Sequence, residues 1–362
     1  MIKVAIFGGG QIGRAIYVML PGLFPNAQSG LHFIVDSNIE NIFHDASNHV
    51  LMNLQIASLE DISKILVDRG VTHVINAMPF SFNEKVASAA AAANCSYIDF
   101  TEDDIMADKV QRIFKDTTLD CAVKCGLAPG FINYIGYNLV DKIDTPDTLM
   151  ISVGALPKNV SYDVNHPEQS YNTSWSVDGL VNEYIRPCRI RRNGELMEVP
   201  AVGSIIKVVL DGIEYEAAHT SGGVGNLARD LVNVPNVSYM TLRYPGHYRY
   251  IRAILQETHG NFKKIKKIFE NSFPFNDDDV IVVYATATGK NKAGQLVRKT
   301  YSNRFYGVNG LSGIQSTTAA GGVAMLELMI DGKVKGIINQ TDVPFSDFTS
   351  TQSFLNYYKT GK

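Results

Sequence analysis

Gly8, Gly10 and Gly13 stand at the spacing G-x-G-x-x-G directly after a mostly apolar run of strand length, Ile2–Phe7, and Asp36 follows the last glycine by 23 positions. Each of these residue types answers a need of a bound dinucleotide. Gly8 permits the tight turn, Gly10 lets the backbone approach a pyrophosphate, and Gly13 lets helix and strand pack closely. Gln11 and Ile12 open the helix whose unpaired N–H groups and positive dipole end face the phosphates. An acid about 20 residues further on accepts hydrogen bonds from the ribose hydroxyls and repels a 2′-phosphate. Ser37 follows Asp36, and no arginine is adjacent to receive that phosphate, so the pattern favours NAD over NADP.

These residues need a particular scaffold, and the following sequence supplies it. Leu31–Val35 reads as a second strand ending on Asp36, and Val50–Ile56 as a third. Ser58 caps a helix over Leu59–Asp68, with Asp61 closing a capping box and Gly70 ending the helix. Val71–Ala77 is an almost continuous apolar strand, the kind a parallel sheet buries on both faces. It runs into Met78-Pro79, where the proline forces an extended turn. The loop Ala77–Pro79, at a strand's carboxyl end, and Ser58 count as further cofactor contacts. An Ala-rich helix through Ala87–Ala93, a strand Cys95–Phe100, a helix Glu102–Asp116 and a strand Leu119–Lys124 continue the alternation. The expected fold class is α/β, a Rossmann-type doubly wound parallel sheet.

Beyond the turn cluster Gly126–Gly130 and a helix over Phe131–Val140 the texture changes to hairpins. Cys188–Arg192 and Glu195–Val199 flank Asn193-Gly194, and Ile205–Leu210 and Ile213–Ala218 flank Asp211-Gly212, both strong two-residue turn signals. Val280–Thr288 and Gln295–Arg304 make a third pair. This predicts an inserted α+β domain with a largely antiparallel or mixed, hairpin-rich sheet. From Ser312 to Ile330 the pattern is helical again, with Ala319, Ala320, Gly321 and Gly322 allowing close packing. The expected boundaries are 1–128 for the dinucleotide domain, 129–308 for the inserted domain, and 309–362 for the return to the first.

Composition narrows the function classes. A 362-residue chain with 45% hydrophobic and 19% charged residues has the make-up of a globular protein of about two domains. The formal net charge of −3 gives no electrostatic case for nucleic acid or an anionic membrane as partner. No apolar segment reaches the ~18 residues that span a bilayer, and no export signal opens the chain, so a cytoplasmic location is expected. Cys95, Cys121, Cys125 and Cys188 read as buried free thiols; no second pair or histidine cluster completes a zinc site around Cys121 and Cys125, and no metal is expected.

Several further motifs occur in order: Gly126-Leu-Ala-Pro-Gly130-Phe-Ile-Asn133, Val153-Gly-Ala-Leu-Pro-Lys158, Thr173-Ser-Trp-Ser176, Glu183-Tyr-Ile-Arg-Pro187, Arg192-Asn-Gly194 and Thr241-Leu-Arg-Tyr-Pro-Gly-His247. With Thr220–Gly225 and Ile314–Gly322, they make the chain resemble the saccharopine dehydrogenase family, which includes lysine 6-dehydrogenase. The resemblance covers nearly the whole chain. It implies a Rossmann domain interrupted by a substrate and dimerisation domain, a homodimer, and a small amino acid as substrate. The implied chemistry moves a hydride from the carbon bearing a lysine-derived nitrogen to the nicotinamide and leaves an imine that water hydrolyses. Members carry a lysine two or three positions before the tryptophan; Asn172 and Thr173 stand there instead, which loosens the identity of the substrate.

Such a site must keep the amine neutral before hydride loss, manage a water and grip carboxylates. Asp99, Tyr244 and His247 are the candidate catalytic groups; Thr101, Trp175, Arg243 and Lys158 are the candidate substrate contacts. Each has a plainer role available. A strand-end aspartate often caps a helix, a lone histidine is often structural, and Trp175 can be core or pocket wall. Arg243 suits a bidentate carboxylate clamp or an interior ion pair. Lys158 can act as a base only if desolvated. Arg186 and Arg189 can meet a carboxylate or a partner subunit. Two other enzyme activities fit the same pattern: lysine 6-dehydrogenase, which releases ammonia, and an NADPH-dependent carboxynorspermidine-type polyamine synthase, against which Asp36 argues. A non-catalytic NAD-binding sensor is the alternative from another class.

Overall fold

The structure is a computed structural model that describes residues 2–23, 32–38, 49–158, 171, 173, 175–273 and 275–358. In chain order the first elements are β1 (Val4–Phe7), α1 (Gln11–Leu23), β2 (His32–Asp36), β3 (His49–Leu51), α2 (Leu59–Asp68), β4 (His73–Asn76), α3 (Asn83–Ala92), β5 (Ser96–Asp99), α4 (Asp104–Phe114), β6 (Cys121–Ala122) and α5 (Phe131–Val140). Then follow β7 (Thr145–Pro157), α6 (Val177–Ile185), β8 (Cys188–Arg192), β9 (Glu195–Val199), β10 (Ile205–Leu210), β11 (Ile213–Ala218), α7 (Leu227–Asp230) and β12 (Asn236–Arg243). The last are α8 (His247–Thr258), α9 (Phe262–Ser272), β13 (Asp279–Lys290), β14 (Leu296–Tyr306), α10 (Gly313–Ile330), β15 (Ile337–Ile338), α11 (Phe345–Ser350) and α12 (Gln352–Tyr357).

The chain forms two compact units, one of residues 1–131 with 315–358 and one of residues 132–314. The first holds a seven-stranded sheet in the order β15-β6-β5-β4-β1-β2-β3, every pair parallel. Its central strands are buried on both faces, which is what a sheet with helices on either side requires. Phe7, Val35, Val74 and Tyr97 are buried with Ala87, Ala90 and Val110 of α3 and α4. The strand order reverses between β1 and β4, where the carboxyl ends of an open α/β sheet receive ligands.

The second unit is built on a mixed sheet in the order β10-β11-β12-β7-β13-β14, with the β8–β9 hairpin attached to β12. The pair β12–β7 is parallel and the others are antiparallel. Both two-residue turns have the expected left-handed backbone, with φ of 52° and 85° at Asn193 and Gly194 and of 52° and 80° at Asp211 and Gly212. Tyr171, Leu180, Tyr184, Tyr248 and Phe269 form one buried cluster, and Leu156, Tyr215, Met240, Leu242 and Val282 another.

The fold class is therefore α/β with a Rossmann-type parallel sheet and a second, mixed sheet. The differences from expectation are local. The third strand spans only His49–Leu51, because Asn53 folds the following residues into a turn: its carbonyl accepts the Ile56 and Ala57 N–H groups and its side chain the Gln55 N–H. The sixth strand is two residues long and is ended by Lys124, whose φ is 63°. The 13-residue strand β7, central to the second sheet, was not expected. Leu31 and Asn172, which figured in the sequence reading, lie outside the described residues.

Candidate active site

In the first unit the glycine turn behaves as its residue types demand. Gly8 has φ of 95° and donates its N–H to the Val35 carbonyl at 2.9 Å. A Cβ on Gly13 would stand 1.7 Å from the Gly8 carbonyl oxygen, so only glycine allows α1 to lie so close to β1. A Cβ on Gly10 would meet no heavy atom within 4 Å, which leaves open space above the turn. Gln11 and Ile12 begin α1, and the Gln11 side chain is hydrogen-bonded to that of Gln315. Asp36 is buried at the end of β2; its carboxylate accepts the Gly9 N–H at 2.6 Å and the Asn38 N–H at 2.7 Å. Ser37 follows it, exposed to solvent. These residues fit a dinucleotide: an open glycine turn at a helix N-terminus, with an oriented carboxylate one strand away.

Ser58 caps α2, and its hydroxyl and N–H are engaged with Asp61 in a capping box. Beside it is a cleft of about 420 Å³ lined by Met52, Asn53, Ile56, Ala57, Asp61 and Lys64. Ala77, Met78 and Pro79 follow β4. The Ala77 N–H donates to the Phe7 carbonyl at 2.8 Å, and a Cβ on Gly8 would lie 3.0 Å from the Ala77 carbonyl group, so loop and turn are in contact.

Asp99 ends β5 with no exposed surface. Its Oδ1 accepts the Thr101 and Lys124 N–H groups at 3.0 and 3.2 Å; its Oδ2 accepts from Asn83 at 2.9 Å and from the Tyr97 hydroxyl at 3.2 Å. Burial lifts its carboxyl to about 6, against the pull of those bonds. Thr101 is buried, and its hydroxyl accepts the Asp103 N–H at 3.3 Å. Lys124 is buried beside this hub and ion-paired with Asp104.

The second unit gathers a separate polar cluster. Arg243, at the end of β12, donates from Nε to the Tyr184 hydroxyl at 3.1 Å and from Nη1 to the Leu242 carbonyl at 3.0 Å. Its guanidinium stacks 4.7 Å above the Tyr171 ring centre. Nη2 comes only to 3.8 Å from Oε2 of the buried Glu183, an oxygen without a hydrogen-bond partner. Burial raises the Glu183 carboxyl and Arg243 lowers it in part. His247, which opens α8 after Gly246 (φ 94°), is fully buried. Its Nε2 lies 3.0 Å from the Tyr184 hydroxyl, and its Nδ1 has no partner. Burial, and then Arg243, hold its imidazole well below the ordinary histidine range, so it stays neutral near neutral pH.

The other candidates are placed less centrally. Tyr244 donates its hydroxyl to the Pro157 carbonyl at 3.1 Å and stacks on Tyr215; burial pushes it up to about 12. Trp175 stands just before α6, and a Cβ on Gly179 would be 2.4 Å from its ring. Lys158 is half-exposed, 3.7 Å from Asp278. Arg186 follows α6 and returns its N–H to the Asn182 carbonyl. All four cysteines are free and buried. Among the described residues no cluster of His, Cys, Asp or Glu could hold a metal ion, and no helix is long and apolar enough to cross a membrane.

Sequence reasoning missed Asn76, Asn83, Tyr171 and Tyr184, and Glu183 as a site residue. The signals available were the polar Asn76 closing the strand His73–Asn76 and the motif Glu183-Tyr-Ile-Arg-Pro187, which holds Glu183 and Tyr184.

Residues 126–350 match the saccharopine dehydrogenase C-terminal domain, well over half of the chain. Among solved structures, apo saccharopine dehydrogenase (L-Glu forming) from Saccharomyces cerevisiae superposes with a TM-score of 0.75 at 13% identity, covering 97% of this chain and 98% of that one. Homospermidine synthase from Legionella pneumophila, solved in complex with NAD, gives a TM-score of 0.68 at 12% identity, covering 99% and 90%. These two likenesses establish a shared fold, and the match over residues 126–350 establishes kinship. The chain belongs to the saccharopine dehydrogenase family.

Proposed function

We propose that the protein is an NAD-dependent oxidoreductase of the saccharopine dehydrogenase type. It removes a hydride from the CH–N carbon of a lysine-derived amino acid, and the resulting imine is hydrolysed; it works as a homodimer in the cytoplasm. The observation that carries this reading is the Arg243–Glu183 pair. A buried guanidinium and a buried carboxylate that stop short of a hydrogen bond do not saturate each other. Burial of that kind is costly unless further partners complete it, and an amino acid brings both a carboxylate and an amine.

Within that reading the residues divide the work. The glycine turn and Asp36 hold the dinucleotide, with NAD preferred because a carboxylate at Asp36 repels a 2′-phosphate. The cleft beside Ser58 suits the adenine. When bound, NAD supplies the hydride acceptor. Arg243 takes the substrate carboxylate. His247, neutral and with Nδ1 unpaired, is placed to accept a hydrogen bond from the amine; burial and Arg243, which disfavour a further cation there, keep that amine uncharged. Tyr244 keeps its proton and lines the site with Trp175; Asp99 and Thr101 act within the dinucleotide-binding unit. Lys158 binds at most through its exposed ammonium. The half-buried Met150, Tyr284 and Tyr306 on one face of the second sheet suit contact with a second copy.

A second reading is a polyamine-forming synthase. The likeness to homospermidine synthase favours it, as does the buried Glu183, which could receive an amine. One panel on purified protein separates them. NADH formation from saccharopine at alkaline pH is the expected result. Formation from L-lysine alone indicates the ammonia-releasing 6-dehydrogenase. NADPH oxidation with a diamine and aspartate semialdehyde overturns the proposal in favour of polyamine synthesis. NAD binding with no turnover of any of these indicates a sensor.

A further inference from the structure

Phe7, Asn76 and Asp99 form a row across three neighbouring strands: Phe7 of β1 is in register with Asn76 of β4, and Asn76 with Asp99 of β5. This row lies at the carboxyl edge, directly before the glycine turn and the Ala77–Pro79 loop. A chain of buried hydrogen bonds starts from Asp99. The Asn83 amide donates to Asp99 at 2.9 Å; the Asn76 amide donates to Asn83 Oδ1 at 2.9 Å and to the Tyr97 hydroxyl at 2.9 Å. The chain ends where Asn76 Oδ1 accepts the Met78 backbone N–H at 3.1 Å. Asn76, Asn83, Tyr97 and Asp99 are each at most 1% exposed. Four donors already fill the Asp99 carboxylate, which leaves it no lone pair directed at a substrate. Apolar residues would fill this space at lower desolvation cost, so a fully satisfied polar relay is best explained by the geometry it imposes.

The order β4-β1-β2 says which half of the cofactor is affected. The adenosine ribose belongs on the β2 side with Asp36, and the pyrophosphate belongs over the turn after β1. The remaining half belongs on the β4 side. We infer that Asp99, Asn83 and Asn76 are positioning residues for the nicotinamide half: their relay seats the Met78 amide, and with it the Ala77–Pro79 loop, against the glycine turn. This rests on the NAD reading above.

The test compares NAD with ADP-ribose, which lacks the nicotinamide, by calorimetry on the full chain. Asn83→Ala cuts the relay at its middle without touching the loop. It is expected to weaken NAD about tenfold, the equivalent of one lost hydrogen bond, while ADP-ribose changes less than about twofold. Tyr97→Phe removes the hydroxyl that receives from Asn76 and donates to Asp99 but keeps the ring 5.7 Å from Phe114. It should show the same selective loss at about threefold, and it decides the matter if Asn83→Ala does not fold. Equal losses for both ligands, or none, would overturn the inference and leave the relay a packing feature. If the unaltered chain binds neither ligand, the NAD reading itself fails and this inference falls with it.

Discussion

Arg243 is the residue on which substrate recognition turns, because its planar fork is used on several sides at once: Tyr184 at Nε, a carbonyl at Nη1, Tyr171 beneath. Lysine cannot reproduce that fork, although it keeps the charge. Arg243→Lys should therefore raise the KM for the amino acid on the order of 10–100-fold while kcat falls less, as read from steady-state NADH formation with NAD saturating. A kcat loss as large as the KM gain would instead place Arg243 at the transition state. Arg243 and His247 were legible because the segment Thr241–His247 is contiguous. Tyr184 and Glu183 on α6, and Tyr171 ahead of it, were not, since only folding brings residues so far from Arg243 in sequence to its guanidinium. Asn83, at the start of α3, and Asp99, at the end of β5, 16 positions apart, likewise meet through the packing of α3 on the sheet and not through spacing.

At the scale of elements, two substitutions one turn apart should separate binding from packing. Gly10→Ala places a methyl group in open space, so the melting curve should stay put while NAD affinity falls at least about tenfold. Gly13→Ala drives a methyl group into backbone atoms that cannot swing aside. It should cost about 2–3 kcal/mol of stability as well as binding, read by thermal unfolding and calorimetry. A different balance governs the start of α10, where the buried Asp279 accepts the Gly313 and Ile314 N–H groups. Burial lifts its carboxyl to about 6. A folded-state pKa raised above the unfolded value means that the folded chain holds the proton longer, so this group's contribution to stability falls as pH rises from about 4 through 6. Asp279→Asn should remove that slope. Relative to the variant, the unaltered chain should lose on the order of 2–3 kcal/mol between pH 4 and 7 in urea titrations. The hairpins at Asn193-Gly194 and Asp211-Gly212 were legible to the residue because turn chemistry is local. The short β3 was not, because an apolar run does not reveal that Asn53 will turn it, and β7 becomes a strand through its partners β12 and β13.

For the molecule as a whole, the first unit is discontinuous. Its outermost strand β15 pairs with β6 through Ile337 and Ile338, and the Gly336 carbonyl accepts the Cys121 N–H at 2.8 Å. Phe131 is surrounded by Phe345, Phe348, Phe354 and Tyr358. A chain ended after Asp331 should lose on the order of 5 kcal/mol or more from this unit, together with NAD binding. Hydrogen exchange would show the Cys121 amide unprotected, and full protection there would contradict the expectation. The same connectivity matters during translation. As the nascent chain emerges, β6 is made long before β15, and the whole of residues 132–314 must appear between them. Throughout that interval the ribosome-bound protein carries an uncovered strand edge, a standing invitation to pair with other polypeptides until its own tail arrives.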